Sequence, residues 1–131
     1  MRSLAREAVF KYVFSRLFNQ SDEGLFDILL IGEGLSKEDC AFANSLLTAV
    51  DKKIDDYFAL IGKMAKGFKL SRVFNADKCA IVIGMAELDE FKDTPVPVVI
   101  NEAVNLAAKY STEKSADFVN GILAAYAEGK N

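Results

Sequence analysis

The chain has 131 residues, of which 51% are apolar and 27% are charged, and its formal net charge is −3. This length suits one domain with a buried core, and the apolar runs are far shorter than the ~18–20 residues of a membrane span. The sequence contains no histidine. That absence removes the usual general base and the most common zinc ligand, so composition argues against catalysis and against a zinc site.

The N-terminal segment and the two cysteines indicate a cytoplasmic protein. Charges at Arg2, Arg6 and Glu7 leave no apolar signal core at the start of the chain, which argues against secretion. Cys40 and Cys79 lie far apart and form no CxxC motif. We therefore expect both thiols to be reduced and buried, since a free cysteine behaves as a small apolar residue.

The apolar pattern predicts a first helix over about Ser3–Phe18. Its apolar residues cover most of the circumference, and Phe10, Phe14 and Phe18 form a stripe at i, i+4 and i+8. A helix this apolar either lies at the centre of a core or leaves one stripe for a partner. We expect each phenylalanine to favour the core, and the partner role stays open.

Further helices follow along the chain, so the predicted fold is all-α. Only two prolines occur and they stand close together, which leaves long stretches without a strong helix breaker. Ser36 and Asn75 are expected N-caps, and Pro97 suits a first helical turn because its missing N–H costs no hydrogen bond there. The predicted segments are Asp22–Ile31, Ser36 to the mid-sixties, a short turn around Leu70–Val73, Ala76 to about Phe91, Pro97–Tyr110, and a last helix ending at about Ala127.

Candidate motifs for phosphate or metal binding are weak. The glycines in residues 32–34 lack the third glycine of a dinucleotide loop, because Lys37 stands in its place. The acidic runs at residues 55–56 and 87–90 have no second acidic cluster at metal-ligand spacing. We expect both runs to lie on solvated faces.

Two residue pairs, Asn101-Glu102 and Asn120-Gly121, are unusual for apolar helical segments. Asn101, Glu102 and Asn120 are polar residues within such segments, so each needs a hydrogen-bond partner if it is buried. Gly121 costs helix propensity, roughly 1 kcal/mol relative to alanine. We expect these residues to join helices to one another, with Gly121 allowing two helices to approach closely.

Several blocks of this sequence resemble the NusB family of bacterial transcription antitermination factors. The C-terminal blocks are Pro97–Ala107, Tyr110-Ser111 and Ser115–Leu123, and the earlier blocks are Ala5–Val9, Asp77-Lys78 and Glu87-Leu88. Together they span nearly the whole chain, and the two long C-terminal blocks are the most specific.

The resemblance implies about seven helices in two perpendicular three-helix subdomains, at about residues 1–67 and 68–131. It also implies binding of single-stranded boxA RNA together with NusE, a small-subunit ribosomal protein. In such a complex RNA polymerase reads through terminators in ribosomal RNA operons. The resemblance implies no catalysis and no cofactor.

The resemblance also implies site residues by position. Arg2, Arg6, Lys114 and Phe118 are the predicted RNA-binding residues, because guanidinium and ammonium groups pair with phosphates and an aromatic ring stacks on a base. Core packing is an equally good role for Phe118. Phe14 and Asp77 are the predicted partner-binding residues.

The N-terminal arginines are sparser than in many relatives, so we expect weak RNA binding by the lone chain and a larger contribution from the partner. Two other functions remain open. One is an RNA-targeting module of a ribosomal RNA methyltransferase, for which this chain would be a fragment. The other is a helical scaffold for protein interactions. Self-association through the RNA or partner surface is also compatible with the sequence.

Overall fold

The structure is a computed structural model that describes residues 2–18, 23–65 and 73–129. Within these ranges it contains no strand, which confirms the all-helical prediction. The predicted turn around Leu70–Val73 lies outside the described residues except for Val73. The helices are α1 (Arg2–Phe18), α2 (Glu23–Gly32), α3 (Lys37–Met64), α4 (Asn75–Glu90), α5 (Val96–Tyr110) and α6 (Ser115–Gly129).

The helices differ from the prediction at one cap and at one kink. Ser36 caps α3 as expected, and its side chain accepts a hydrogen bond from the Asp39 backbone N–H at 3.1 Å. Phe74, and not Asn75, occupies the N-cap position of α4, where no side chain caps the helix. A kink at Lys53 (φ −133°, ψ 20°) divides α3. No proline or glycine at this position predicts the kink from the sequence.

Helix α4 is the centre of the fold. Its residues from Ala76 to Leu88 are almost all buried, and it packs against α1, α3, α5 and α6. An element that is apolar around its whole circumference has this position in a helical domain. The subdomain boundary near residue 67 stays a prediction, because the chain there lies outside the described residues.

Close helix approach occurs at a different glycine from the one predicted. A Cβ on Gly84 would lie 2.6 Å from Cδ1 of Leu123, so the Leu123 side chain of α6 packs directly on the bare backbone of α4 at this glycine. A Cβ on Gly121 would meet no atom of the described residues within 4 Å. Asn101 and Asn120 are exposed. The predicted joining role is therefore wrong for Asn101, Asn120 and Gly121. It holds for Glu102, which joins α5 to α1 by accepting hydrogen bonds from Ser3 and Arg6.

The second acidic run is also different from the prediction. Asp55 and Asp56 are exposed, as expected for a solvated face. Glu87 is only 1% exposed, and the Asp89 side chain is only 3% exposed. Both carboxylates point inward because each accepts hydrogen bonds there, Glu87 from Arg6 and Asp89 from Tyr57 and Tyr126.

The inward carboxylate of Asp89 joins three helices. It accepts hydrogen bonds from the Tyr57 hydroxyl on α3 at 2.5 Å and from the Tyr126 hydroxyl on α6 at 2.8 Å. Burial, together with the hydrogen bond to this carboxylate, raises the pKa of Tyr57. Both phenols therefore stay protonated as donors at neutral pH.

The cysteines differ in burial. Cys79 is fully buried on α4, whereas Cys40 is only half-buried. Burial raises the pKa of the Cys79 thiol to about 12, so this sulfur is a thiol at neutral pH and packs as an apolar group. Among the described helices, none has the length and hydropathy to cross a membrane.

Candidate nucleic-acid and partner interface

Helix α1 separates the predicted site residues into two groups. Arg2 and Arg6 lie in its first half and Phe14 lies near its end. Residues 2 and 14 are about 18 Å apart along a helix that rises 1.5 Å per residue. We call the surroundings of Arg2, Arg6, Glu87 and Glu102 the arginine end, and those of Phe14, Asp77, Lys114, Ser115 and Phe118 the cavity end.

Arg6 is a buried residue at the arginine end. It is 4% exposed. Its Nε and Nη2 donate to the two carboxylate oxygens of Glu87 at 2.7 and 2.6 Å, and its Nη1 donates to Oε1 of Glu102 at 2.7 Å. This two-pronged pairing, one of the strongest that a guanidinium makes, connects α1 to α4 and α5. The group that was predicted to face RNA is turned into the protein.

Arg2 has a different environment, one helical turn away. Its side chain is exposed, and its guanidinium carbon lies 4.4 Å from the ring centroid of Phe42. The Arg6 guanidinium lies 5.2 Å from the same ring. Phe42 in turn packs edge-on against Phe91 with 5.0 Å between centroids. Arg2 forms no ion pair within 4 Å with a described residue, although its charge also acts on Asp39.

The cavity end joins residues of both predicted classes. Asp77, Lys114 and Phe118 line one cavity of about 250 Å³ between α4 and the start of α6. Lys114 is exposed at its rim and Phe118 is half-buried in its wall. The family resemblance assigns Asp77 to a partner and Lys114 and Phe118 to RNA, yet the fold places all three together. The described residues that line it are Val73, Phe74, Asp77, Thr112, Lys114, Ser115 and Phe118.

Asp77, one of the residues that line this cavity, has an unsatisfied oxygen. The residue is 4% exposed, and its Oδ2 accepts a hydrogen bond from the Ser115 hydroxyl at 3.0 Å. Its Oδ1 is buried and has no hydrogen-bond partner in the described part of the chain. Leaving a buried acceptor unpaired costs about 1–3 kcal/mol, and more when the group is charged. A donor supplied from outside would remove that cost.

An exposed aromatic residue extends this surface towards Phe14. Phe74 is 58% exposed, and it lines both the Asp77 cavity and an adjoining cavity of about 420 Å³ that Phe14 and Tyr110 also line. Sequence reasoning missed Phe74. The available signal was an aromatic residue directly before a helix, where it contributes nothing to a cap.

The phenylalanine stripe of α1 supports that aromatic surface from below. Phe10 is 2% exposed and stacks on Phe14 and on Tyr110, with ring centroids 6.0 and 5.1 Å apart. Phe14 is half-buried. The expectation that these rings enter the core is confirmed for Phe10, and the Phe18 side chain lies outside the described residues.

A polar cluster connects the two ends along α1 and α5. Glu7 accepts hydrogen bonds from Lys109 Nζ at 2.9 Å and from the Tyr110 hydroxyl. Burial alone would raise the pKa of Glu7, but the hydrogen bonds from Tyr110 and Lys109 outweigh it and lower that pKa. The Lys109 side chain is 59% exposed and that of Glu7 is 13% exposed, so the cation is the outer member of the pair.

Comparison with known proteins identifies the family. The profile described as the NusB family matches residues 1–128 of the chain. The chain belongs to the NusB family. It is similar to the transcription antitermination protein NusB of Ruminiclostridium cellulolyticum, with 33% identity over 129 residues that cover 98% of this chain and 89% of the relative. The NusB of Natranaerobius thermophilus is 36% identical over 129 residues, which cover 93% of this chain and 91% of that one.

Solved structures agree with this assignment. NusB of T. maritima superimposes with a TM-score of 0.89 at 29% identity, covering 98% of this chain and 91% of the other. NusB in a complex of antitermination factors NusB and NusE with double-stranded RNA gives a TM-score of 0.86 at 25% identity, with 98% and 96% covered. The resemblance seen in the sequence is confirmed, and the chain is a transcription antitermination protein of this family.

Proposed function

We propose that this chain binds boxA-type single-stranded RNA jointly with NusE in the bacterial cytoplasm. In the antitermination complex of RNA polymerase it thereby promotes read-through of ribosomal RNA operons. The observation that carries the proposal is the cavity of Asp77, Lys114 and Phe118, in which one wall offers a cation and an aromatic ring and the floor offers an unpaired carboxylate oxygen. A solved relative that contains NusB, NusE and RNA supports it.

The RNA contacts are assigned to exposed groups. Arg2 and Lys114 are exposed cations at opposite ends of the surface, and both pair with phosphates. Phe118 stacks on an unpaired base with the part of its ring that is exposed. Arg6 acts indirectly: its pairs with Glu87 and Glu102 hold α1 in the position that displays Arg2.

The partner contacts are assigned to the floor and the aromatic surface of the cavity end. NusE inserts an N–H donor that reaches Oδ1 of Asp77, and its apolar surface covers Phe74 and Phe14. Such a contact satisfies the buried carboxylate and removes a large exposed ring from water. The same aromatic surface suits a second copy of the chain, and self-association would then compete with NusE.

Fluorescence anisotropy with labelled boxA RNA tests the proposal. Adding NusE should tighten boxA binding at least tenfold, and a scrambled RNA should gain much less. Lys114→Ala should weaken the ternary complex, whereas Lys37→Ala, an exposed lysine at the start of α3, should not. Equal affinity for both RNAs with and without NusE would favour a protein-interaction scaffold.

Sedimentation of the chain with and without NusE distinguishes the remaining possibilities. A dimer that dissociates when NusE binds would place self-association on the aromatic surface. A dimer that persists in the NusE complex would place it elsewhere. Reading the gene beyond the codon for Asn131 tests the alternative of an RNA-targeting module ahead of a methyltransferase domain.

A further inference from the structure

Helix α6 begins with a reciprocal cap centred on one hydroxyl group. The backbone N–H of Thr112 donates to Oγ of Ser115 at 3.2 Å, and the backbone N–H of Ser115 donates to the carbonyl oxygen of Thr112 at 3.0 Å. The first bond gives the backbone N–H of Thr112 an acceptor on the side chain of the first residue of α6, and the second closes the turn that precedes the helix. The Ser115 hydroxyl therefore fixes the direction in which α6 starts.

The same hydroxyl also reaches a different helix. Ser115 is 2% exposed, and its Oγ lies 3.0 Å from Oδ2 of Asp77 on α4, 2.9 Å from Oγ of Ser111 and 2.9 Å from Oγ1 of Thr112. A hydroxyl has one proton and can donate to only one of these three acceptors at a time. The carboxylate is the strongest acceptor because it is charged. The orientation and hydrogen bonding of the Asp77 carboxylate therefore decide to which acceptor the Ser115 hydroxyl donates.

The residues on either side of Ser115 face the proposed RNA site. Lys114 directly precedes it, and Phe118 follows it by three residues, almost one helical turn. Both side chains line the cavity above Asp77. Any change in the first turn of α6 consequently moves the proposed phosphate contact and the proposed base-stacking ring together.

We propose that Ser115 is a positioning residue that couples partner binding at Asp77 to RNA binding at Lys114 and Phe118. A donor from the partner that occupies Oδ1 fixes the carboxylate, so that Oδ2 holds the Ser115 hydroxyl and the first turn of α6 in one arrangement. Without the partner, the carboxylate has a free oxygen and the hydroxyl can turn to Ser111 or Thr112. The partner then tightens RNA binding by selecting the competent arrangement.

This inference rests on the proposed function, since it assumes that a partner and RNA bind at the cavity end. It adds a specific route between them. The quantity that it predicts is the coupling factor, which is the ratio of the RNA dissociation constants without and with saturating NusE. Coupling between two sites in one protein is typically 5–150-fold. We expect Ser115→Ala to lose most of this factor.

The test measures that factor by anisotropy for three proteins: the natural chain, Ser115→Ala and Thr112→Ala. Thr112→Ala is the matched control because it removes a hydroxyl that contacts Ser115 Oγ and leaves the Ser115–Asp77 hydrogen bond in place. Both variants should melt a few degrees lower, as cap variants do. Only Ser115→Ala should lose the coupling, and because coupling is reciprocal, RNA should also stop tightening NusE binding in that variant.

Each outcome has a definite meaning. If NusE does not tighten RNA binding to the natural chain, the proposed function and this inference both fail. If the natural chain shows coupling and Ser115→Ala retains it, the inference is overturned while the proposed function stands. Equal loss in both variants would assign the effect to the helix cap and overturn the route through Asp77. Should Ser115→Ala fail to fold by circular dichroism, Ser115→Cys keeps the volume with a weak donor and must lose the coupling instead.

Discussion

The arginine end and the cavity end both contain a buried carboxylate, but the two carboxylates differ in how many of their oxygens receive a hydrogen bond. At the arginine end, Glu87 has a donor on each of its oxygens, both supplied by Arg6. At the cavity end, Asp77 has a donor on Oδ2 and none from the described residues on Oδ1. The paired Glu87 stabilises the isolated fold, whereas Asp77 leaves an acceptor for the partner proposed above. We therefore expect Glu87 to be a structural residue and Asp77 to be a partner-binding residue.

The largest effect is expected from breaking the complete pair. Arg6→Ala leaves Glu87 buried without its counter-charge, and such a change costs about 3–5 kcal/mol of unfolding free energy. Denaturant unfolding followed by circular dichroism measures it. Arg2→Ala is the control, because that side chain is exposed and its loss should cost less than about 1 kcal/mol. If Arg6→Ala abolished RNA binding with stability unchanged, Arg6 would be a direct RNA contact and the comparison would fail.

A smaller effect of the opposite kind is expected at the incomplete pair. Asp77→Asn keeps the shape and removes the charge, so the isolated chain should lose little stability and NusE should bind more weakly. A hydrogen bond to a charged group contributes about 1.5–3 kcal/mol, equivalent to a loss of roughly ten- to a hundredfold in affinity. Titration calorimetry with NusE measures this loss. Stability and partner affinity that fell together would make Asp77 a structural residue like Glu87.

These same residues show which features of the fold the sequence alone could predict. The helices follow from local periodicity, since each residue needs only its neighbours within one turn. The Arg6–Glu87 pair spans 81 positions and the Ser115–Asp77 bond spans 38, so both depend on helix packing that no local pattern encodes. Gly84 and Gly121 show the same limit: both are helical glycines, and only the packing of Leu123 distinguishes them. The family resemblance supplied candidate site positions, but not which of them are buried.

The RNA side of the comparison predicts a third and weaker effect. Arg2 and Lys114 lie at opposite ends, and each phosphate contact on a single strand contributes about 0.7 to the slope of log affinity against log salt. Single alanine variants should each reduce that slope by about 0.7, and the double variant should reduce it by about 1.4. Binding of boxA at several salt concentrations in the presence of NusE measures it. A slope that changes only for Lys114→Ala would confine the RNA to the cavity end.

The smallest effect is expected at the Glu7 cluster that joins the two ends. Because hydrogen bonds from Tyr110 and Lys109 outweigh burial and lower the pKa of Glu7 in the folded chain, its stabilisation is present above the unfolded-state pKa. It is lost as pH falls through the lower folded pKa. Melting temperatures between about pH 6 and pH 3 should therefore decline more steeply in the natural chain than in Glu7→Gln, which has no such proton to bind. Identical pH profiles would mean that this cluster adds nothing to stability. The packing of α1 on α4 alone would then connect the arginine end to the cavity end.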